Sequence, residues 1–222
     1  MNQATDRPQA MYMPPWMLRK VFAVPMLHII NLIVFLGFQG LGPFDEHFFF
    51  LHFTVSAEKL QHGYYWTLLT SALAHYSLLH YLINSMVLQS FGPIIERYLG
   101  MRRFLVFFVG AALISSVSHA LTSQFIMGRA DLPALGVSGV LCGLMLIFGV
   151  LFPKSKILFM GLLPVPALFG VLLFVGIDLF GLFAQSQGGG FPIGHGAHLG
   201  GSLAGALYFL FFLRGRKRSP YR

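Results

Sequence analysis

Two side chains in this sequence have the types and settings of a nucleophile and its base. Ser138 stands in Gly136-Val137-Ser138-Gly139. A nucleophilic hydroxyl must escape helical back-bonding and be approachable from one side. Flanking glycines allow both, and a helix starting there supplies unpaired N–H groups for a developing oxyanion. The same tetrapeptide also suits a simple helix cap. His198 stands in Gly194-His195-Gly196-Ala197-His198-Leu199-Gly200-Gly201. Gly201 and Gly205 follow it at i+3 and i+7, on one helical face. Gly139 and Gly143 form a matching pair just after Ser138. Two small-residue faces of this kind let helices pack closely. If they meet, Ser138 and His198 come within hydrogen-bond reach. A Ser–His dyad requires that contact, because the base takes the hydroxyl proton and later returns it to the leaving amine. The alternative is a glycine-packed helix pair with a bystander histidine. His80 and Asn84 are i and i+4 and share a helical face. Both can donate to an oxyanion, or serve as a polar pair that fixes packing.

The elements that must position these groups are membrane helices. Of 222 residues, 56% are hydrophobic and only 10% charged. Soluble domains carry roughly 45–50% apolar and about 25% charged residues. Mean hydropathy is +0.71. This composition excludes a disordered chain, argues against a soluble enzyme, and predicts an all-α polytopic membrane protein. The single cysteine, Cys142, excludes an intrachain disulfide and a multi-cysteine metal site. Six runs approach the length of about 20 apolar residues that a span needs: 21–40, 77–95, 104–122, 136–152, 166–184 and 196–213. The fourth is short. The fifth is preceded by Leu163-Pro164-Val165-Pro166, which reads as a turn into the helix. The stretch from Asp45 to Trp66 holds too many charges to span and reads as an interfacial segment. The N-terminus lacks the pattern of a signal peptide. The expected organisation is a short tail at 1–20, a membrane domain at 21–213 and a basic tail at 214–222.

Six spans put both termini on one side. On that side fall 13 of the 15 Lys and Arg residues, leaving only Lys59 and Arg129 opposite. The positive-inside rule therefore places both tails in the cytoplasm. It also accounts for the net charge of +8 without nucleic acid as a partner. The absence of corresponding broken helices argues against a transporter.

Polar groups inside spans are costly and mark function by default. Asp178 is the only carboxylate read as lying well inside a span, and no acid has the spacing of a triad member, so a dyad is the expected arrangement. His28 with Asn31, and His119, read as packing groups. His195 is one turn before His198 and is assigned no role in the reaction.

Together these segments resemble the rhomboid family of intramembrane serine proteases, over about residues 20 to 213. His80-Tyr81-Leu82-Ile83-Asn84 resembles the family's H-x-x-x-N segment. Ser138 matches the family nucleophile, and Ala197-His198-Leu199-Gly200-Gly201 with Gly205 matches its base segment. Phe152-Pro153, the 163–167 run and Asp178-Leu179-Phe180-Gly181 resemble its fourth and fifth spans. The resemblance implies a six-helix bundle with an interfacial first loop, and cleavage of transmembrane protein substrates by Ser138 and His198. It implies an oxyanion hole from the Ser138 N–H, His80 and Asn84, and close packing through Gly136, Gly139, Gly143, Gly201 and Gly205. It implies a structural role for Asp178, a fifth helix that helps gate substrate access, and no metal or other cofactor. The partners are membrane-anchored substrates and the lipid bilayer itself, and the location is a bacterial inner membrane.

Hydrolysis needs water, and the short fourth span answers that need. A cavity above its N-terminus, lined by His75, His80, Asn84, His195 and His198, can fill with water. It should open on the non-cytoplasmic side. Two departures from the family pattern stand out. Trp66-Thr67 replaces the family's W-R, and Cys142 replaces the Tyr or Phe that stacks on the base histidine. The rival readings are an inert family member that binds membrane clients, a metalloprotein using His75, His80, His195 and His198, and a channel or transporter. The metal reading lacks an H-E-x-x-H motif and an accompanying carboxylate.

Overall fold

The computed structural model describes residues 14–159 and 161–215. Arg7 and the basic residues Arg216, Lys217, Arg218 and Arg222 of the expected tails lie outside the described residues. After a 3-10 turn at Pro15–Leu18, the chain forms α1 (Ala23–Phe38), α2 (Glu46–Phe53), α3 (Ala57–Gln61) and α4 (Thr67–Thr70). Then come α5 (Leu78–Leu99), α6 (Met101–Phe125) and α7 (Ser138–Leu151). A hairpin of β1 (Lys156–Phe159) and β2 (Leu163–Pro166) precedes α8 (Ala167–Ser186) and α9 (His195–Tyr208), which runs on as a π-helical turn through Phe209–Leu213.

By length and composition α5, α6, α8 and the helix from His195 to Leu213 can cross a membrane. α1 and α7, of 16 and 14 residues, are shorter apolar helices. All six expected runs are therefore helical, with ends shifted by a few residues. The bundle's outward faces are apolar, as lipid requires: Met86 on α5, Val106 on α6, and Leu172 and Phe180 on α8 are more than half exposed. In lipid the helices gain little from hiding apolar surface from water. Close van der Waals packing and polar contacts between helices must hold them.

One reading of the sequence is corrected. The run at 163–166 is a strand and not a simple turn, with Ile157 opposite Val165 in an antiparallel pair. Among the described residues Asp178 is the carboxylate well inside a span, and a second acid, Glu96 in the last turn of α5, is also buried at 1% exposed. α5 extends four residues beyond its expected end at 95 and carries Glu96 inward. There Oε1 accepts from the N–H groups of Phe22 and Ala23 at 2.7 and 2.8 Å, and Oε2 from Val24 at 2.9 Å. These are donors that the first turn of α1 cannot satisfy within the helix.

α7 is the hub. Leu144 and Ile147 are fully buried, and Gly139, Gly143 and Gly149 line its surface. It ends at Phe152 because Pro153 cannot continue a helix. α9 fits beside it through a glycine seam. A Cβ added at Gly205 would stand 2.5 Å from the Gly143 carbonyl oxygen, and one at Gly143 would stand 2.6 Å from the Gly201 oxygen. A second small-residue face on α9, Gly196 and Gly200, meets Thr122 and Ser118 of α6.

The first loop is folded onto the segment that leads into α7. Val55 and Ala134 exchange backbone bonds at 2.9 and 2.8 Å, and Glu58 N–H donates to Ala130. Lys59 holds the loop from within. Its Nζ donates to the Thr54 hydroxyl at 2.6 Å and to the carbonyls of Phe50, Leu51 and Thr54. Partial burial lowers the Lys59 pKa from its ordinary value. This cation ties the loop in a chain that carries Thr67 where the resemblance leads one to expect an arginine. Thr67 itself is buried and donates to the Tyr64 carbonyl.

Candidate active site

Ser138 is the first residue of α7, so its N–H has no acceptor within the helix. The chain reaches it through Gly136, whose φ of 119° is a conformation that only glycine adopts readily. Space imposes the same choice: a Cβ at Gly136 would lie 2.7 Å from His80 Cε1 and 3.8 Å from Ser138 Oγ. The Gly136 N–H donates to the Ser71 carbonyl at 2.9 Å, fixing the turn. His80 and Ser138 thus flank one glycine.

His198 lies one turn into α9. That first turn is anchored by α6, where Ser115 and Ser118 hydroxyls donate to the carbonyls of Ala197 and Gly196 at 2.9 and 2.8 Å. The glycine seam brings the His198 ring to α7, and Nε2 stands 2.9 Å from Ser138 Oγ. The other ring nitrogen, Nδ1, is 3.0 Å from Asp178 Oδ1. Since a carboxylate only accepts, Nδ1 carries the proton and Nε2 is left to accept from the serine hydroxyl. That is the tautomer a general base needs.

The placement of Asp178 corrects the expectation that no acid sits like a triad member. It is 2% exposed on α8 and bonds two imidazoles through one oxygen, His195 Nδ1 lying 2.7 Å from the same Oδ1. Among the described residues its Oδ2 has no hydrogen-bond partner. The His195 ring occupies the notch left by Gly181, one turn after Asp178, where any Cβ would strike it. One turn before Asp178, Phe174 tilts over His198 with ring centroids 6.0 Å apart. The aromatic contact missing at Cys142 on α7 is therefore supplied from α8.

The remaining expected residues divide. Asn84 is buried and donates one Nδ2 hydrogen to the His80 carbonyl at 2.9 Å, which leaves its second amide hydrogen for another acceptor. His75 is fully buried beside His80, ring centroids 5.1 Å apart, with neither nitrogen bonded. Burial, and then the neighbouring His80, lower the His75 pKa to about 3. It is a neutral wall of the site. His119 lies apart, its Nε2 3.0 Å from the Leu132 carbonyl. Among the described residues, Cys142, Asp178 and His198 place ligand atoms within 4.8 Å of one another, as a metal site would need. Both His198 nitrogens and Asp178 Oδ1 already hold bonds there.

Sequence reasoning set Asp178 aside as structural and missed Phe174 as a neighbour of the base. A signal existed: Asp178 and Gly181 have the spacing of His195 and His198, and Phe174 is four residues before Asp178. Those positions share one face of α8.

The fold and site define a multi-pass helical membrane protein with a serine hydroxyl and an imidazole joined where a central helix begins. The Rhomboid domain family matches residues 62–215, and the chain belongs to that family. It is 29% identical to RHOMBOID-like protein 12, mitochondrial, of Arabidopsis thaliana over 187 residues, covering 79% of this chain and 54% of that protein. It is 30% identical to Rhomboid protein 1, mitochondrial, of Saccharomyces cerevisiae over 142 residues, covering 64% and 40%. It is 28% identical to Rhomboid protease GlpG of Haemophilus influenzae over 194 residues, covering 87% and 92%. The chain thus spans about half or less of the two mitochondrial relatives and nearly all of GlpG.

Proposed function

We propose that this protein is an intramembrane serine endopeptidase that cleaves transmembrane protein substrates near the outer membrane face. The observation that carries this reading is the 2.9 Å contact between Ser138 Oγ and His198 Nε2 at the N-terminus of α7. Ser138 attacks the substrate carbonyl carbon while its proton passes to His198 Nε2. The carbonyl oxygen becomes an oxyanion, received by the Ser138 N–H with the side chains of His80 and Asn84 as further donors. His198 then returns the proton to the leaving amine and the C–N bond breaks, leaving an acyl-enzyme on Ser138. Water, deprotonated by the same nitrogen, attacks the ester and restores the serine.

The charge tally supports an orientation with both tails cytoplasmic, and the likeness to Rhomboid protease GlpG of Haemophilus influenzae supports a bacterial inner membrane location. α7 then starts below the outer face, and water reaches Ser138 from outside. The test is cleavage of a transmembrane substrate by the purified protein in liposomes, with labelling by a fluorophosphonate probe. Ser138→Ala should abolish both signals and His198→Ala should abolish cleavage, each with the helical fold intact. Cleavage at the wild-type rate by either variant refutes the reading.

A further inference from the structure

We infer that Asp178 is a positioning residue for the base: it holds His198 in its working tautomer and stabilises the imidazolium that forms during the reaction. The inference rests on the protease reading and extends it from a dyad to a carboxylate-supported pair whose third member is on a different helix.

Three observations converge. The carboxylate is buried, and its Oδ1 takes the Nδ1 of His198 at 3.0 Å while Nε2 faces Ser138 at 2.9 Å. The three groups therefore lie in line, acid to imidazole to hydroxyl. Second, the Asp178 oxygen is itself braced, because His195 Nδ1 meets it at 2.7 Å and the His195 ring is seated against Gly181. Third, Phe174 on the same face of α8 covers the His198 ring, in a chain where the residue four after Ser138 on α7 is Cys142 and not an aromatic. α8 thus supplies both the aromatic contact and the charge that orient the base.

A purely structural carboxylate needs only to bond a donor. This one sits opposite the nitrogen whose partner sets the tautomer. When Nε2 takes the serine proton, both ring nitrogens carry hydrogen and the ring becomes positive. The nearest carboxylate to that charge is Asp178. Among the described residues, the other titratable groups facing His198 are His195 on its own helix, His80 on α5 and Cys142 on α7, and α6 meets this first turn of α9 through the hydroxyls of Ser115, Ser118 and Thr122. No other carboxylate among these can stand in for Asp178.

The experiment compares wild type, Ser138→Ala, Asp178→Asn and Asp178→Ala in liposomes, with kcat and KM for a transmembrane peptide measured against pH. Asp178→Asn keeps an acceptor oxygen and removes the charge. Its kcat should fall at least about tenfold with little change in KM, and its acidic limb should move to lower pH by about one unit or more. The roughly 10⁴-fold loss seen when a triad Asp is replaced by Asn is the upper end of that range, and Asp178→Ala, which removes the acceptor as well, should lose at least as much as Asp178→Asn. A folded Asp178→Asn protein with the wild-type kcat and limb overturns the inference. So does a variant that loses thermal stability while its limb stays in place, since that marks a packing role alone. A second measurement needs no variant at Asp178: nitrogen NMR of histidine-labelled wild type, with His198→Ala for assignment, should show the Nδ1-protonated tautomer, and the Nε2-protonated form overturns it. If wild type and Ser138→Ala cleave alike, the protease reading falls and takes this one with it. If only the Asp178 results fail, the protease reading stands.

Discussion

The α7–α9 seam allows a graded test in which no reacting group is touched. Gly205→Ala adds one methyl group that would stand 2.5 Å from the Gly143 carbonyl oxygen, where ordinary contact begins near 3.4 Å. Backbone lies on both sides, so no side-chain rotation relieves the overlap. The helices must part by about the difference, roughly 1 Å, and a misplacement of that size costs on the order of 10²-fold in rate. Gly201→Ala is more severe. Its methyl group would overlap the Gly139 carbonyl, only one residue beyond Ser138 and one turn beyond His198. The expected order of kcat is wild type, then Gly205→Ala at about 10²-fold lower, then Gly201→Ala lower still. Cleavage in liposomes gives the rates, and fluorophosphonate labelling reports Ser138 reactivity. Thermal denaturation in detergent separates misalignment from loss of the fold. Wild-type turnover in folded Gly201→Ala protein would refute the idea that the seam sets the distance between Ser138 and His198.

Loss of one oxyanion donor typically costs on the order of 10²–10³ in kcat, so Asn84→Ala should slow cleavage without erasing it. An unchanged rate in His80→Ala/Asn84→Ala would remove both from the mechanism. Lys59→Met should lower the first loop's stability by about 1.5–3 kcal/mol, the usual worth of a charge-assisted hydrogen bond, read as a lower midpoint of thermal unfolding. Glu96→Ala strands three backbone donors at the start of α1, which should also lower the midpoint, by about 1–3 kcal/mol for each donor that water cannot reach. His75 is held near 3 in the fold against 6.5 ordinarily, so the unfolded chain binds the extra proton between these values. Its contribution to stability is complete above about pH 6.5 and declines as pH falls toward 3. His75→Phe should flatten that part of a stability–pH profile measured by thermal unfolding.

The membrane character, the helical class, the expected location of six apolar runs and the glycine-lined faces that made Ser138 and His198 candidates for contact were legible in the residues, while the choice of that pair over a bystander histidine came from the family resemblance. The physical reason is that each rests on local pattern. Lipid demands continuous apolar runs, and close helix approach demands glycine at intervals of four. A nucleophile at a helix start needs small neighbours. What only the tertiary structure decided are the contacts between residues distant in the chain. Asp178 lies 20 positions from His198, and its role depends on how α8 is rotated against α9, which a lone carboxylate in an apolar run does not specify. Phe174 takes the place that Cys142 leaves empty because a neighbouring helix happens to face the same ring. Glu96 is buried because α5 runs four residues past the apolar stretch to meet the start of α1. Lys59, a charge that spoiled a span in one dimension, is in three dimensions the donor that gathers a loop's free carbonyls. Periodicity tells which face of a helix is apolar, but the few polar groups on that face find their partners only when the helices are docked.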